Sequence, residues 1–112
     1  MRPAASADAV AQAHMDAEAY KLHTYWTASR VARGQAVGAE ASCNKIFWSE
    51  TDVAIHTAAL DLIGPDAELL EAGAPGEWLD GFLFSLAGPI YAGTNEIQRN
   101  VVAERLLGLP RG

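Results

Sequence analysis

A run of residues without proline or glycine constrains the fold of this chain more than any other feature. Residues 8–33 contain neither residue type, and small or apolar side chains recur there in steps of three and four. One stripe consists of Val10, Ala13, Ala17, Tyr20, Thr24, Thr27 and Val31, and a second consists of Met15, Ala19, Leu22 and Trp26. This period is typical of an α-helix, and two apolar stripes on one helix predict neighbours on two sides.

A second long helix is predicted over residues 39–63, after a turn at residues 33–39 that contains two glycines. Its apolar positions form two seams, with Phe47 beside them: Ile46, Val53 and Leu60 in one, and Trp48, Ile55, Ala59 and Leu62 in the other. A helix that is apolar on nearly all sides must be buried in something larger than a two-helix hairpin.

The rest of the chain is predicted to hold two shorter helices. Residues 64–77 carry three glycines and two prolines and are expected to be mostly loop, followed by a helix over 78–86. A terminal helix is expected over 96–107, where Gly108 and Pro110 then prevent its continuation.

The start of this terminal helix has two candidate caps, Asn95 and Thr94, and Gln98 is placed to reach back toward Asn95 as in a capping box. No segment predicts a convincing strand. The expected fold class is therefore all-α: a helical bundle of two long antiparallel helices, a short helix and a terminal helix. The expected organisation is a single partial domain over residues 1–112.

The overall charge argues against one class of partner. The chain carries 14 acidic and 8 basic residues, for a formal net charge of −6. Such a chain would repel the phosphates that supply most nucleic-acid affinity, so no nucleic-acid partner is expected. No apolar run approaches membrane-spanning length, so no membrane partner is expected either. The single cysteine, Cys43, cannot form an intrachain disulfide, which fits a cytoplasmic location.

The segment that precedes the terminal helix has the chemistry of an anion site. Gly93 lets the backbone approach a ligand closely, and residues 94–96 open the helix. The first N–H groups of a helix and the positive end of its dipole suit a phosphate. The same sequence is also a good helix cap without any ligand, and both interpretations remain open on these grounds alone.

The stretch IYAGTNEIQRNVVAERLLGLPRG resembles the C-terminal signature of the flavin-dependent acyl-CoA dehydrogenases. The resemblance continues upstream through WLDGFLFSLAGP and AEASCNKIFWSETDVAIHTAALDLIG, and it covers residues 15–111. It implies an oxidoreductase of fatty acid metabolism, a flavoprotein that uses FAD on an acyl-CoA substrate. Because family members are much longer, the chain is expected to be a fragment, a truncated product or a subunit that completes another chain.

The resemblance also implies roles for residues at the predicted helix start. Positions Thr94, Asn95 and Glu96 match residues that contact FAD, while Tyr91 and Gly93 match residues beside the acyl thioester. The family adds partners, either a homo-oligomer or a longer acyl-CoA dehydrogenase chain. A non-catalytic helical oligomerisation module is the alternative from another functional class.

A further FAD contact is implied at Gly64, in the turn DLIGPD that follows the second long helix. This turn departs from the family pattern, because Asp61 stands where glutamine is usual and Pro65 stands where a second glycine is usual. Proline removes a backbone donor, and an aspartate would repel a pyrophosphate. A plain helix C-cap at Gly64 is therefore an equal alternative.

Ala92 occupies the position where many family members carry the glutamate that removes the substrate's α-proton. A methyl group cannot accept a proton. Some branches of the family place this glutamate on the first helix of the bundle, and no segment of this sequence matches that helix. No catalytic residue is therefore assigned, Glu96 is not favoured as a base, and the chain is expected to be inactive on its own.

The remaining candidate residues are expected to be structural. The spacing of His14, His23 and His56 fits no metal motif, so no metal is expected. Cys43 is interpreted as a small apolar residue of a buried helix. The tryptophans are interpreted as packing anchors, and Arg99, Arg105 and Glu104 as members of solvated or intersubunit ion pairs.

Overall fold

The computed structural model describes residues 3–71 and 74–111. The ends of the predicted domain and part of the predicted loop fall on positions 1, 2, 72, 73 and 112, which lie outside the described residues. Among the helices that are described, none combines the length and the apolar character needed to cross a lipid bilayer.

Helices make up most of the described chain. In order, the elements are α1 (Pro3–Ala32), α2 (Glu40–Ile63), a 3₁₀ turn (Gly64–Glu68), β1 (Leu70–Glu71), β2 (Ala74–Pro75), α3 (Glu77–Ser85), α4 (Asn95–Val101) and a π-helical turn (Val102–Leu106). The predicted all-α class is confirmed, because the antiparallel β1–β2 pair has only two residues in each strand. This pair and the 3₁₀ turn occupy the segment that the sequence predicted to be mostly loop.

The two long helices are antiparallel, as predicted, and the Arg30 side chain links the end of α1 to the turn and to the start of α2. The Arg30 guanidinium lies 4.7 Å from the centre of the Trp26 ring, where a cation–π contact is favourable. The same guanidinium donates to Glu40, at the start of α2, and to Gln35 in the turn. Further along the pair, His23 Nδ1 lies 3.1 Å from Asn44 Oδ1.

Only one of the two apolar stripes of α1 has a neighbour in the described chain. The first stripe faces α2, where Ala13 and Tyr20 are partly buried beside Ile55. The second stripe stays open, since Leu22 is 62% exposed and Trp26 is 50% exposed. The sequence predicted packing partners on two sides of α1, and among the described residues α2 packs against one of them.

Helix α2 lies at the centre of the fold and contacts α1, α3, α4 and the π-helical turn. No apolar side chain of the described residues is fully buried in this arrangement. The buried side chains are polar: Ser42, Ser49, Ser85 and Asn95. The interior of the described chain therefore consists of helix contacts around small polar groups, without a closed apolar core.

The dimensions of the chain agree with this open interior. Its accessible surface is 7720 Å², whereas a folded monomer of 11.9 kDa has about 6,000 Å². Its radius of gyration is 17.2 Å, whereas a compact domain of this length has about 13 Å. The excess of about 1,700 Å² is more than the roughly 800 Å² that one partner contributes to a standard protein interface.

The predicted helix bounds needed small corrections. Helix α1 begins at Pro3, five positions before the prediction, because the alanine-rich start has high helix propensity. Helix α3 begins one residue early, at Glu77. The terminal helix begins at Asn95 and changes to π geometry at Val102, before the positive φ of Gly108 ends the segment.

Helix α3 is packed against α2 through a histidine and a glycine. The His56 ring lies 5.8 Å from the Trp78 ring, and its Nδ1 is 2.9 Å from the backbone oxygen of Asp52. A methyl group added at Gly81 would overlap Nε2 of the same imidazole. Gly81 thus allows α3 to approach α2 closely at this point.

We expect the effect of Gly81→Ala to depend on His56. The substitution gains about 1 kcal/mol of helix propensity, but overlap with the ring costs about 1–3 kcal/mol. Denaturation followed by circular dichroism should show Gly81→Ala to be neutral or destabilising in the native background and stabilising in a His56→Ala background. Equal effects in both backgrounds would contradict this packing of α3 on α2.

Candidate functional site

The predicted site lies in a tight corner, residues 88–94, between α3 and α4. The corner is closed at its base, where the Asn95 N–H donates to the Pro89 oxygen at 2.9 Å. A second bond crosses it, from Gln98 Nε2 to the Ala92 oxygen at 3.0 Å. The predicted capping box between Gln98 and Asn95 is therefore wrong, because Gln98 serves the corner's backbone instead.

Two successive residues at the tip of the corner have left-handed backbone geometry. Gly93 has φ 87°, and an added Cβ there would lie 2.6 Å from Gln98 Nε2. Ala92 has φ 55°, which costs an L-residue about 1–2 kcal/mol. Both residues are exposed, and Gly93 makes no hydrogen bond among the described residues. The tip thus presents bare backbone to its surroundings.

The cap of α4 is Thr94, one of the two candidates that the sequence offered. Its hydroxyl accepts a long hydrogen bond, 3.4 Å, from the Ile97 N–H. The neighbouring Glu96 carboxylate is exposed and accepts from its own backbone N–H and from the Thr94 hydroxyl. These bonds, in that order of importance, lower the pKa of Glu96 below 4.5, and the charges of Arg99 and Lys45 act in the same direction. Glu96 is therefore ionised at neutral pH.

Asn95 is turned away from Thr94 and Glu96, into the protein, and is only 3% exposed. Its Oδ1 accepts from Lys45 Nζ at 2.8 Å. Its Nδ2 donates to Ser49 Oγ at 3.0 Å and to Glu50 Oε1 at 3.3 Å. The sequence grouped residues 94–96 as one set of cofactor contacts, but the structure brings only the outer two side chains to the surface.

Sequence reasoning did not single out Lys45 or Ser49. Their spacing of four places both on one face of α2. Two polar residues at helical spacing on one face are the sequence signal that could have indicated this part of the site. Their partner, however, lies about fifty residues further along the chain and could not be identified from the pattern.

Two further contacts hold the corner against α2. The Tyr91 ring lies 6.0 Å from the Trp48 ring at an interplanar angle of 48°. Gly88 is buried so close to the helix that an added Cβ would lie 3.3 Å from Ser49 Cβ. The predicted substrate-lining residues Tyr91 and Gly93 are thus both at the exposed tip, with Tyr91 43% exposed.

Gly64 is not brought near this corner. It ends α2 with φ 76°, and its N–H donates to the Leu60 oxygen. The corner contacts α2 at Ser49, and Gly64 lies about 22 Å further along the helix axis at the usual rise per residue. Its helix-capping interpretation is therefore supported, while the FAD contact at Gly64 stays a prediction.

Several other candidate residues form ion pairs within the chain or line an apolar cavity. Arg99 pairs with Glu50 of α2, and Glu104 pairs with Arg111 at 2.8 Å, so these ion pairs form within the chain. Cys43 is partly buried in an apolar cavity of about 320 Å³ beside His23. Across the described residues, no group of three or more histidine, cysteine, aspartate or glutamate side chains is arranged to hold a metal ion.

Comparison with known proteins identifies the family of the chain. The family model described as "Acyl-CoA dehydrogenase, C-terminal domain" matches residues 3–107. Acyl-CoA dehydrogenase IpdE1 of Mycobacterium tuberculosis is 35% identical over an alignment of 101 residues, and the match covers 81% of this chain and 26% of that protein. The IpdE1 protein of Mycolicibacterium smegmatis is 38% identical over 98 residues, covering 81% of this chain and 25% of that protein.

A solved structure shares the fold. The chain superimposes on a chain of the ChsE4-ChsE5 complex from Mycobacterium tuberculosis with a TM-score of 0.83 and 29% sequence identity. The superposition covers 96% of this chain and 29% of that chain. The present sequence thus spans about a quarter of the length of the curated relatives that it matches. Sequence and fold together show that the chain belongs to the acyl-CoA dehydrogenase family and corresponds to its C-terminal domain.

Proposed function

We propose that this chain acts as the C-terminal part of an FAD-dependent acyl-CoA dehydrogenase and is inactive alone. In this role it contributes cofactor contacts and an assembly interface. The observation that carries the proposal is the exposed corner, with Gly93 and Thr94 leading into α4, in a chain of this family. The reaction would be α,β-dehydrogenation of an acyl-CoA thioester, with the flavin as hydride acceptor.

The corner offers separate groups for the charged and the neutral parts of a dinucleotide. Gly93 makes no hydrogen bond among the described residues, so its backbone N–H is available to an anion, and the positive end of the α4 dipole favours one. The first N–H groups of α4 itself are already bonded, to the Pro89 oxygen, the Glu96 carboxylate and the Thr94 hydroxyl. The ionised Glu96 would repel a phosphate, so its natural partner is a hydroxyl group that donates to it. Asn95 supports these contacts from behind, since its side chain is engaged with α2.

The acyl end of the site would lie at the tip of the corner. Tyr91 and Gly93 are exposed there, and the Trp48 ring supports Tyr91 from α2. Ala92 faces the same region with a methyl group in place of a proton acceptor. The base that removes the α-proton must therefore come from another segment or another chain.

The exposed apolar surface supports a role in assembly. The Met15, Leu22 and Trp26 side chains of the second α1 stripe stay exposed, and an apolar cavity of about 340 Å³ opens between α2 and the π-helical turn. Exposed apolar surface of this extent favours association. We propose that it is covered by the remaining part of an acyl-CoA dehydrogenase, in the same or in another chain, because the match covers only a quarter of each relative.

A second candidate function follows from the same surface. The chain could act as a helical oligomerisation module that binds no flavin, with the excess accessible surface as the observation in its favour. For either role we propose a cytoplasmic location, which fits the single cysteine.

The flavin distinguishes the two functions. We expect the protein, purified with the chains that accompany it, to show the visible absorbance of bound flavin and to reduce an electron acceptor with acyl-CoA. The 112-residue chain alone should do neither. A colourless assembly would favour the oligomerisation module, and turnover by the isolated chain would overturn the proposed lack of activity.

Two glycines provide a matched pair for locating the flavin contact. Gly93→Ala and Gly108→Ala both impose a side chain on a left-handed backbone, but an added Cβ meets Gln98 only at position 93. In the assembly with its accompanying chains, Gly93→Ala should raise the Kd for FAD about tenfold, a change of about 1.4 kcal/mol. Gly108→Ala should leave this Kd unchanged. Equal affinities in fluorescence titrations of both variants would place the flavin elsewhere.

The pKa of Glu96 can be measured directly. We expect its carboxyl group to titrate below 4.5 in an NMR pH titration. Its contribution to stability is present above the unfolded-state pKa and is lost as the pH falls through the lower folded-state value. Thr94→Val removes the hydroxyl that donates to the carboxylate, so it should raise the Glu96 pKa toward 4.5. A midpoint unaffected by Thr94→Val would contradict the bond.

Association of the isolated chain can be measured by light scattering. At micromolar concentration we expect a mass of a dimer or a larger oligomer, above the 11.9 kDa of one chain. Leu22→Glu places a charge on the open stripe of α1 and should shift the mass toward the monomer, whereas the adjacent Lys21→Gln should not. A monodisperse native monomer would rule out this surface as an association site.

A further inference from the structure

We propose that Lys45 and Ser49 are positioning residues that hold the cofactor-facing corner in place through the buried side chain of Asn95. The inference rests on the proposed function for the identity of the ligand. The geometry comes from the chain itself, because the three side chains form one hydrogen-bonded cluster between α2 and the start of α4. None of the three needs to touch the cofactor with its side chain.

Lys45 fixes the orientation of the Asn95 amide. An ammonium group can only donate hydrogen bonds, so the amide must present its oxygen to Lys45 Nζ, 2.8 Å away. The amide nitrogen then faces Ser49 Oγ and the Glu50 carboxylate, both of which can accept. Lys45 forms no ion pair among the described residues, and it donates a hydrogen bond to this neutral amide.

Ser49, on α2, is the third member of the cluster. It is fully buried, accepts from Asn95 Nδ2 and can donate its single proton to the Ile46 oxygen at 3.1 Å. Each polar group at the centre of the cluster therefore has a partner. Burial makes the cluster sensitive to the loss of one member, because a buried polar group that loses its partner keeps its full desolvation cost.

The cluster controls the corner because Asn95 stands between the two residues that are proposed to meet the cofactor. Thr94 and Glu96 are its immediate neighbours, and its own N–H closes the base of the corner on Pro89. Movement of Asn95 away from α2 would therefore displace Thr94 and Glu96 together. Glu50 also pairs with Arg99, but this ion pair is exposed on both sides and contributes little to the constraint.

The chain has two lysines, which gives the test a matched control. Lys45→Met keeps the aliphatic stem but removes the donor to Asn95, whereas Lys21→Met removes only an exposed pair with Glu18. Hydrogen exchange should show the Asn95 and Gln98 amides exchanging about tenfold faster in Lys45→Met and unchanged in Lys21→Met. Ser49→Ala should act like Lys45→Met, and Lys45→Arg should restore most of the protection.

The second measurement uses the protein with its accompanying chains and FAD as the probe. We expect the Kd for FAD to rise about tenfold in Lys45→Met and to stay unchanged in Lys21→Met, with recovery in Lys45→Arg. Unchanged amide exchange in Lys45→Met overturns the inference, and so does faster exchange with unchanged FAD affinity. Absence of FAD binding by the native assembly overturns the proposed function and this inference with it, whereas a loss confined to the variants supports both.

Discussion

The contact between α2 and the start of α4 determines where the candidate site lies. It is made by a buried asparagine amide that reaches a lysine and a serine of α2, together with the close approach of Gly88. These groups are small and polar, and their hydrogen bonds are directional in a way that apolar packing is not. These bonds therefore fix the position of the corner along α2, although no apolar side chain of the described residues is fully buried.

The same helix explains why much apolar surface stays exposed among the described residues. α2 carries apolar side chains that α1, α3 and α4 cover only in part, and Phe47, Leu62 and Ile63 stay exposed. Burial of apolar surface contributes about 25 cal/mol per Å², so the exposed excess represents a large amount of unrealised stabilisation. The exposed corner and the incompletely covered apolar surface both favour the proposed role inside a larger assembly.

Most of the fold could be predicted from the sequence, because helical periodicity and glycine or proline at the ends define long helices well. The cap could be narrowed only to Thr94 or Asn95, since both side chains cap well and the contact of Asn95 with α2 decided between them. Lys45 and Ser49 were missed for the same reason: their partner is distant in sequence. The π geometry after Val101 has no compositional signal.

The left-handed backbone at Ala92 has a consequence for how such a site can change. The turn is maintained by bonds from Asn95 and Gln98 to main-chain oxygens, so its shape does not depend on the side chain at position 92. The Ala92 side chain is exposed, and the backbone of the turn is held by Asn95 and Gln98. Evolution could therefore replace an acidic residue by alanine at position 92, and place the proton acceptor on another segment, without changing the backbone of the turn.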